Sequence, residues 1–261
     1  MKDLSKIRDA LGDRLFGGRV HVFATLDSTN DTAMVLGREG APEGTLVLAE
    51  EQTHGKGRLG RKWDSRRGLG LWFSVVLRPA IDVRRSSGLS LVGAVAVASA
   101  LREGYGLAAG VKWPNDVMVG ARKICGILAE SAVTGDALDF AVLGLGINVL
   151  HSELDFPEDL RAGATSVRIE TGRAVARLQV LAGVMAALES KYLAFKSQGF
   201  AGTRLELLEI SSLIGKSVRV ATGRDELEGT AVDIDENGAL VLRTAGGELC
   251  RLWAGDVVGI A

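Results

Sequence analysis

An almost uninterrupted apolar stretch, residues 89–101, sets the strongest constraint on how this chain folds. Its alanines and leucines favour a helix, and no side of that helix is polar enough to face water, so it has to be buried on most of its surface. The stretch is shorter than the ~20 residues that a membrane-spanning helix needs. We therefore expect a helix over residues 83–102 inside the core of a globular domain, and no membrane segment.

Bulk composition argues against several functional classes. The chain of 261 residues is 47% hydrophobic and 24% charged with a formal net charge of −1, which is typical of an ordinary globular protein. The near-zero charge and the 5% aromatic content count against a non-enzymatic nucleic-acid-binding module. Cys125 and Cys250 lie far apart, and the N-terminus lacks the apolar core of a signal peptide, so we expect a reducing cytoplasm.

Strands and helices alternate without a repeat through about residue 212. Strands are predicted over residues 20–24, 45–50, 71–77, 111–113, 123–133 and 140–149, the last two forming a hairpin with a turn at Gly135-Asp136. Helices are predicted over residues 4–15, from a cap at Asp27 or Ser28 through Arg38, and over 174–197 and 203–211. Asn115-Asp116 after a proline is typical of a turn.

The character of the sequence changes at Leu213. Five strand-sized pieces follow, over residues 217–221, 227–234, 239–243, 248–253 and 256–260, separated by Gly223-Arg224-Asp225, Asn237-Gly238 and Gly246-Gly247. Short strands with tight turns and no helix indicate a small five-stranded barrel. The predicted domains are therefore residues 1–212 and 213–261.

A loop rich in glycine and cations follows the strand at residues 45–50. Its central segment, Gly55-Lys56-Gly57-Arg58-Leu59-Gly60-Arg61-Lys62-Trp63, is called the glycine loop below. Glycine allows close backbone approach, and exposed N–H groups with Arg and Lys can hold an anion such as phosphate. The order of a P-loop is absent. The alternative is a solvated basic loop, and in either case mutual repulsion of the cations predicts mobility without a ligand.

Lys112 lies between an apolar strand residue and Trp113, so its ammonium is expected to be partly buried at a strand end. Burying an ammonium is costly unless an anion meets it, which makes Lys112 a candidate for binding a charged ligand. The alternative is a lysine whose stem packs on Trp113 while its charge reaches water.

Three further segments have both a functional and a structural explanation. The hydroxyl and amide groups of Ser28-Thr29-Asn30 suit a polar ligand or a helix cap, and Gln52 could bind a neutral ligand or be exposed. Alternate glycines in Gly144-Leu145-Gly146-Ile147-Asn148 leave one strand face bare, for a ligand or for close packing. Cys125 has no histidine beside it in sequence and is interpreted as a core residue.

Taken in order, these segments resemble the motif series of biotin–protein ligases. The series is Ser28-Thr29-Asn30, Gln52 through Trp63, Lys112-Trp113-Pro114-Asn115-Asp116, Lys123-Ile124-Cys125-Gly126-Ile127-Leu128-Ala129-Glu130 and Gly144-Leu145-Gly146-Ile147-Asn148. The C-terminal strands look like that family's SH3-like domain. The resemblance implies an α/β (α+β) fold: a mixed-sheet catalytic domain of the biotin/lipoate ligase type with surrounding helices, plus a small β-barrel.

The resemblance also implies a reaction. Biotin and ATP with Mg²⁺ would give biotinyl-5′-AMP and pyrophosphate, and a lysine of a biotin carboxyl carrier protein domain would then take the biotinyl group. Lys112 and Arg58 are the implied catalytic residues. The implied biotin site is Ser28, Thr29, Asn30, Gln52, Lys56, Gly57, Arg58 and Lys112. The implied adenylate site is Gly55, Lys56, Gly57, Arg58, Arg61, Trp63 and Asn115.

Partners follow from the same resemblance. A homodimer is expected, whereas the residues that hold Mg²⁺ are not indicated. Lys56 stands where many members have arginine, which keeps the charge but loses the planar fork. So few residues precede Ser28 that a winged-helix domain and sequence-specific DNA binding are not expected. A lipoate or octanoate ligase remains the alternative enzyme, against which the Lys112 segment and the glycine loop both count.

Overall fold

The computed structural model describes residues 3–135, 137–223 and 225–260, so Asp136 and Arg224 of the predicted turns lie outside it. A seven-stranded sheet has the order β1-β2-β3-β7-β6-β5-β4, with β1 and β2 parallel and the other neighbours antiparallel. Its strands are β1 (Val20–Phe23), β2 (Leu46–Ala49), β3 (Gly70–Leu77), β4 (Ala109–Lys112), β5 (Asp116–Val119), β6 (Arg122–Thr134) and β7 (Ala137–Asn148).

Helices cover both faces of this sheet. They are α1 (Leu4–Leu11), α2 (Thr29–Arg38), α3 (Gly88–Tyr105), α4 (Val167–Thr171), α5 (Arg177–Gln198) and α6 (Ala201–Ile210). The predicted apolar helix is α3, which is buried from Gly88 to Leu101 except at Ser90. On the other face, Ala33 and Met34 of α2 form a separate small core with Val47, Val76 and Phe140. Because successive side chains of a strand point to opposite faces of the sheet, the same strands contribute residues to both cores.

The apolar helices belong to the main core. Helix α5 is long and apolar enough to cross a membrane by length and composition, but Leu181, Met185, Leu188 and Tyr192 are fully buried within the protein. Helix α3 begins at Gly88, later than predicted, because residues 83–85 form a short 3₁₀ turn instead. It ends at Gly106 in the left-handed conformation, which favours glycine.

One strand and one helix were missed by the sequence analysis. The predicted turn at Asn115-Asp116 ends one residue too late. The turn covers Trp113, Pro114 and Asn115, and Asp116 is the first residue of strand β5. Only Val117 of β5 is buried, and so the strand has too little apolar alternation to be recognised. Helix α4 is one turn long. The consequence for the site is that Asp116 pairs directly with Lys112 across β4 and β5.

The C-terminal strands form a second, fully antiparallel sheet in the order β11-β10-β9-β8-β12. The strands are β8 (Ser217–Thr222), β9 (Asp225–Ile234), β10 (Leu240–Arg243), β11 (Leu249–Leu252) and β12 (Asp256–Ile260). Trp113 Nε1 donates to the Gly238 carbonyl at 3.0 Å, and Arg204 of α6 donates to both carboxylate oxygens of Asp233. The mixed sheet with helices and a small β domain confirms the predicted fold class, while the boundary at residues 212 and 213 stays a prediction.

Candidate active site

A cavity of about 370 Å³ lies where both domains meet, within the size range of small-molecule sites. All of the predicted site residues except Gly55 line it: Ser28, Thr29, Asn30, Gln52, Lys56, Gly57, Arg58, Arg61, Trp63, Lys112 and Asn115. Gly55 instead packs inside the glycine loop, where a Cβ atom would overlap the Trp63 carbonyl. The assignment of Gly55 to an adenylate site stays a prediction.

Neutral polar groups form one part of the cavity. Ser28 caps α2 by accepting from the Asp31 N–H, so the capping explanation holds for a residue that also lines the cavity. The backbone N–H and hydroxyl of Thr29 both donate to Gln52 Oε1, at 2.8 and 3.0 Å. Gln52 Nε2 donates to Ser65 Oγ at 2.8 Å. Gln52 is therefore held in place rather than exposed and free.

Asn30 is almost completely buried beside these groups. Its Nδ2 donates to Glu130 Oε2 at 2.7 Å, and its Oδ1 accepts from Ser74 Oγ at 2.6 Å. A Cβ atom on Gly144 would overlap Asn30 Oδ1. Close packing is thus the reason for glycine at this position, and it lets a polar side chain lie flat on strand β7.

The Trp63 ring packs directly on two further glycines. Gly126 of β6 and Gly146 of β7 face each other across the two strands. A Cβ on Gly126 would stand 2.8 Å from the Trp63 ring, and one on Gly146 would overlap its indole nitrogen. The Trp63 Nε1 is buried and has no hydrogen-bond partner among the described residues. The bare face predicted for β7 is therefore covered by Asn30 at Gly144 and by the Trp63 ring at Gly146.

The glycine loop is folded back on itself. The Gly57 N–H donates to the Arg61 carbonyl at 2.7 Å, and the Trp63 N–H to the Gly55 carbonyl at 2.8 Å. Leu59 and Gly60 at the tip both have positive φ, 55° and 73°, which makes the reversal possible.

Each of the three predicted anion-binding cations of this loop already has a carboxylate partner. Lys56 pairs with Asp31 of α2, and Arg61 pairs with Asp256 of the C-terminal domain. Arg58 donates to Asp256 Oδ1 at 3.1 Å. The chain thus supplies internal counter-ions that the sequence analysis did not anticipate, while the mobility of the loop without a ligand stays a prediction.

Lys112 differs from these three cations. Its side chain is half-buried, and it makes no hydrogen bond or ion pair with any other residue in the described part of the chain. Burial lowers its pKa, and the nearby charges of Lys123 and Arg61 lower that pKa further, while Asp116 opposes them. Lys123 Nζ is itself 2.6 Å from Asp116 Oδ1. An ammonium in this position is available for a bound anion.

Several lining residues were not predicted as site residues. Lys123 and Asp116 lie inside recognised motifs but were given no role. No sequence pattern indicated that His151, Phe156 and Asp256 would line the cavity. The first two lie in an irregular segment after β7, and Asp256 belongs to the C-terminal domain. His151 is 1% exposed and stacks on Phe156 with ring centroids 4.8 Å apart.

Two domain models and several known proteins match this chain. Residues 22–148 match the biotin/lipoate A/B protein ligase family, and residues 213–258 match the biotin protein ligase C-terminal domain. The bifunctional ligase/repressor of Bacillus subtilis is 35% identical over 253 residues, 97% of this chain and 78% of that protein. The biotin–[acetyl-CoA-carboxylase] ligase of Paracoccus denitrificans is 35% identical over 87% of this chain and 95% of its own length. This chain belongs to the biotin protein ligase family.

A solved biotin protein ligase has the same fold. The enzyme from Aquifex aeolicus in complex with biotin and ATP superposes with a TM-score of 0.78 at 30% identity, covering 91% of this chain and 97% of that one. The match extends over both domains of the ligase. It confirms the resemblance drawn from the motif order, and it identifies the chain as a member of an enzyme family.

Cys125 is completely buried and burial raises the pKa of its thiol, so it is a core residue, as predicted. Within residues 3–135, 137–223 and 225–260, no group of three or more His, Cys, Asp or Glu side chains is placed to hold a metal.

The buried His151 gives this ligase a pH-dependent stability. Burial lowers the pKa of His151 to about 4, below its ordinary 6.5. As the pH falls below 6.5, the unfolded chain takes up a proton that the folded chain does not, so acid should destabilise the fold by up to about 1.4 kcal/mol per pH unit. In thermal unfolding between about pH 7 and pH 5, His151→Phe should flatten the dependence, whereas exposed His54→Gln should not. Parallel curves for His151→Phe and the unmodified chain would contradict this.

Proposed function

We propose that this chain activates biotin with ATP and transfers the biotinyl group to a lysine of a biotin carboxyl carrier protein domain. The observation that carries the proposal is a single cavity with neutral polar groups and cations. Ser28, Thr29, Asn30 and Gln52 provide donors and acceptors for an uncharged ring, and Lys112 adds an ammonium that has no ion-pair partner among the described residues. A ligand that is neutral at one end and anionic at the other suits this arrangement.

In the first step, a carboxylate oxygen of biotin attacks the α-phosphorus of ATP. The bond from that phosphorus to the bridging oxygen breaks, and pyrophosphate leaves. Negative charge builds on the α-phosphoryl oxygens, where the ammonium of Lys112 and the guanidinium of Arg58 would stabilise it. In the second step, the neutral amine of the acceptor lysine attacks the acyl carbon, AMP leaves, and the amine loses a proton.

The nucleotide has its own candidate surface in the same cavity. Phe156, Leu160 and Ala164 contribute apolar groups, and residues 163–165 run beside the start of β6 near Lys123. Mg²⁺ keeps most of its ligands as water and phosphate oxygens, so it would enter this cavity as a complex with ATP. Asp116, which pairs with Lys123, is one of the carboxylates that line the cavity beside the cations.

Incubation with biotin, ATP and Mg²⁺ tests the proposal directly. Pyrophosphate and biotinyl-5′-AMP should form in equal amounts, and a carrier domain should become biotinylated, whereas a carrier whose acceptor lysine is arginine should not. Replacing biotin with lipoate tests the alternative enzyme. Adenylation of lipoate but not biotin would overturn the proposal in favour of that alternative.

We also propose a homodimer in the cytoplasm. Strand β1 lies at an edge of the large sheet and, among the described residues, pairs only with β2, so its outer edge is a candidate for pairing with a second chain. Cys125 and Cys250 are both free, which suits a reducing compartment. Sedimentation with and without biotin measures the oligomeric state.

A further inference from the structure

Asp256, the first residue of β12, holds both arginines of the glycine loop. Its carboxylate accepts from Arg58 at 3.1 Å and pairs with Arg61 through its other oxygen. The adjacent Gly255 carbonyl accepts from Arg58 Nη1 and Nη2 at 3.2 and 3.3 Å. The side chains of Asp256 and Arg58 are only 17% and 21% exposed, so the contact between them is shielded from water. The C-terminal domain thus fixes the position of a loop that belongs to the other domain.

The same carboxylate lines the cavity, together with both arginines. It therefore occupies the position of an anion at the cationic end of the site. A phosphate that approached Arg58 or Arg61 would come close to the Asp256 carboxylate, and two part-buried negative charges repel each other.

The hydrogen bonds of Arg58 show how the carboxylate could be displaced. Arg58 Nη1 carries two hydrogens but lies within hydrogen-bond distance of three acceptors: Asn115 Oδ1, Gly255 O and Asp256 Oδ1. Because Gly255 O also accepts from Nη2, the guanidinium would keep a contact with the C-terminal domain if Asp256 gave up its bond. Arg61 has Asp256 as its partner and is 63% exposed, so it is the more easily released of the two arginines.

We propose that Asp256 is a positioning residue, an internal counter-ion that holds the glycine loop over the cavity and gives up its arginines to a phosphate-bearing ligand. The inference rests on the proposed function, because that function supplies the phosphate. The loop does not wait for ligand in an open state. It exchanges one anion for another, and so it shields the cavity from water before and after the adenylate forms.

Limited digestion with trypsin tests this exchange, because cleavage after Arg58 or Arg61 requires the loop to leave its docked position. In the ligand-free chain, Asp256→Asn should raise the cleavage rate about 10-fold, the size expected when a charge-assisted hydrogen bond is lost at a shielded site. At saturating non-hydrolysable biotinyl-AMP analogue, the two chains should be cleaved equally slowly. Glu228→Gln removes the same charge from an exposed position of the same domain and should behave as the unmodified chain.

Two results would overturn the proposal. Cleavage of ligand-free Asp256→Asn at the unmodified rate would show that the carboxylate does not hold the loop. A difference that persists with the analogue would show that Asp256 keeps its arginines when phosphate is bound. Asp256→Glu retains the charge and should restore slow cleavage, which a purely steric role of Asp256 would not require.

The design separates this inference from the proposed function. If the analogue fails to bind the unmodified chain, the proposed function is at fault. If the analogue binds and slows cleavage, but Asp256→Asn cleaves like the unmodified chain without ligand, only the role of Asp256 is wrong. Thermal unfolding of each variant checks that the fold is retained.

Discussion

Replacing Lys112 with alanine is expected to lower the rate of biotinyl-AMP formation by about 10²–10³-fold, because one electrostatic group that stabilises developing charge is lost. The ammonium makes no hydrogen bond or ion pair with another described residue, so little of the fold depends on it. Pyrophosphate release at saturating biotin and ATP measures the effect on the chemical step.

The matched control is Lys216→Ala, which removes an exposed lysine from the C-terminal domain and should leave the rate unchanged. Thermal unfolding should differ little between the two variants. Near-normal turnover by Lys112→Ala would remove Lys112 from the mechanism and leave Arg58 as the candidate for stabilising the α-phosphoryl oxygens.

Replacing Gly144 with alanine is expected to weaken biotin binding by about 100-fold, because the new methyl group would displace Asn30 and leave its buried partners unsatisfied. Asn30 cannot move aside easily, since Ser74 and Glu130 hold both ends of its amide. Overpacking of this kind should also lower the free energy of unfolding by about 1–3 kcal/mol. Calorimetric titration with biotin alone measures the binding.

Gly183→Ala is the control for the added methyl group. Gly183 lies in α5, where a Cβ atom would meet no other atom within 4 Å, so this position should tolerate alanine or gain stability from it. Biotin binding by Gly144→Ala at the unmodified affinity would show that Asn30 does not shape the biotin site.

The sequence predicted those parts of the site whose chemistry is local. Lys112, Arg58 and Gln52 stand in short segments with unusual residue types, and their order along the chain indicated the family. Asp256 could not be found in this way, because an aspartate at the start of a strand becomes part of the site only when two domains pack together. His151 was missed for a similar reason, since one of the rings that pack against it, that of Trp72, is far away in the sequence.

The secondary structure likewise contains elements that local sequence predicts and elements that it does not. Helix α3 follows from its continuous apolar composition, and the C-terminal strands follow from their turns. Strand β5 did not follow, because only Val117 of its residues is buried and pairing with β4 and β6 stabilises it instead. Local sequence patterns therefore predict elements that have many buried apolar residues, and they miss elements that are stabilised mainly by pairing with neighbouring strands.

The hydrogen bond from Trp113 Nε1 to the Gly238 carbonyl has a consequence for how the chain could be divided. Trp113 is the neighbour of Lys112 and is 1% exposed. Cutting the chain before the C-terminal strands would leave this indole without an acceptor beside the cavity, and would open the wall that Asp256 and Val257 complete. The two parts of this ligase are separate in sequence, but a catalytic domain produced alone would be an enzyme with an unfinished pocket.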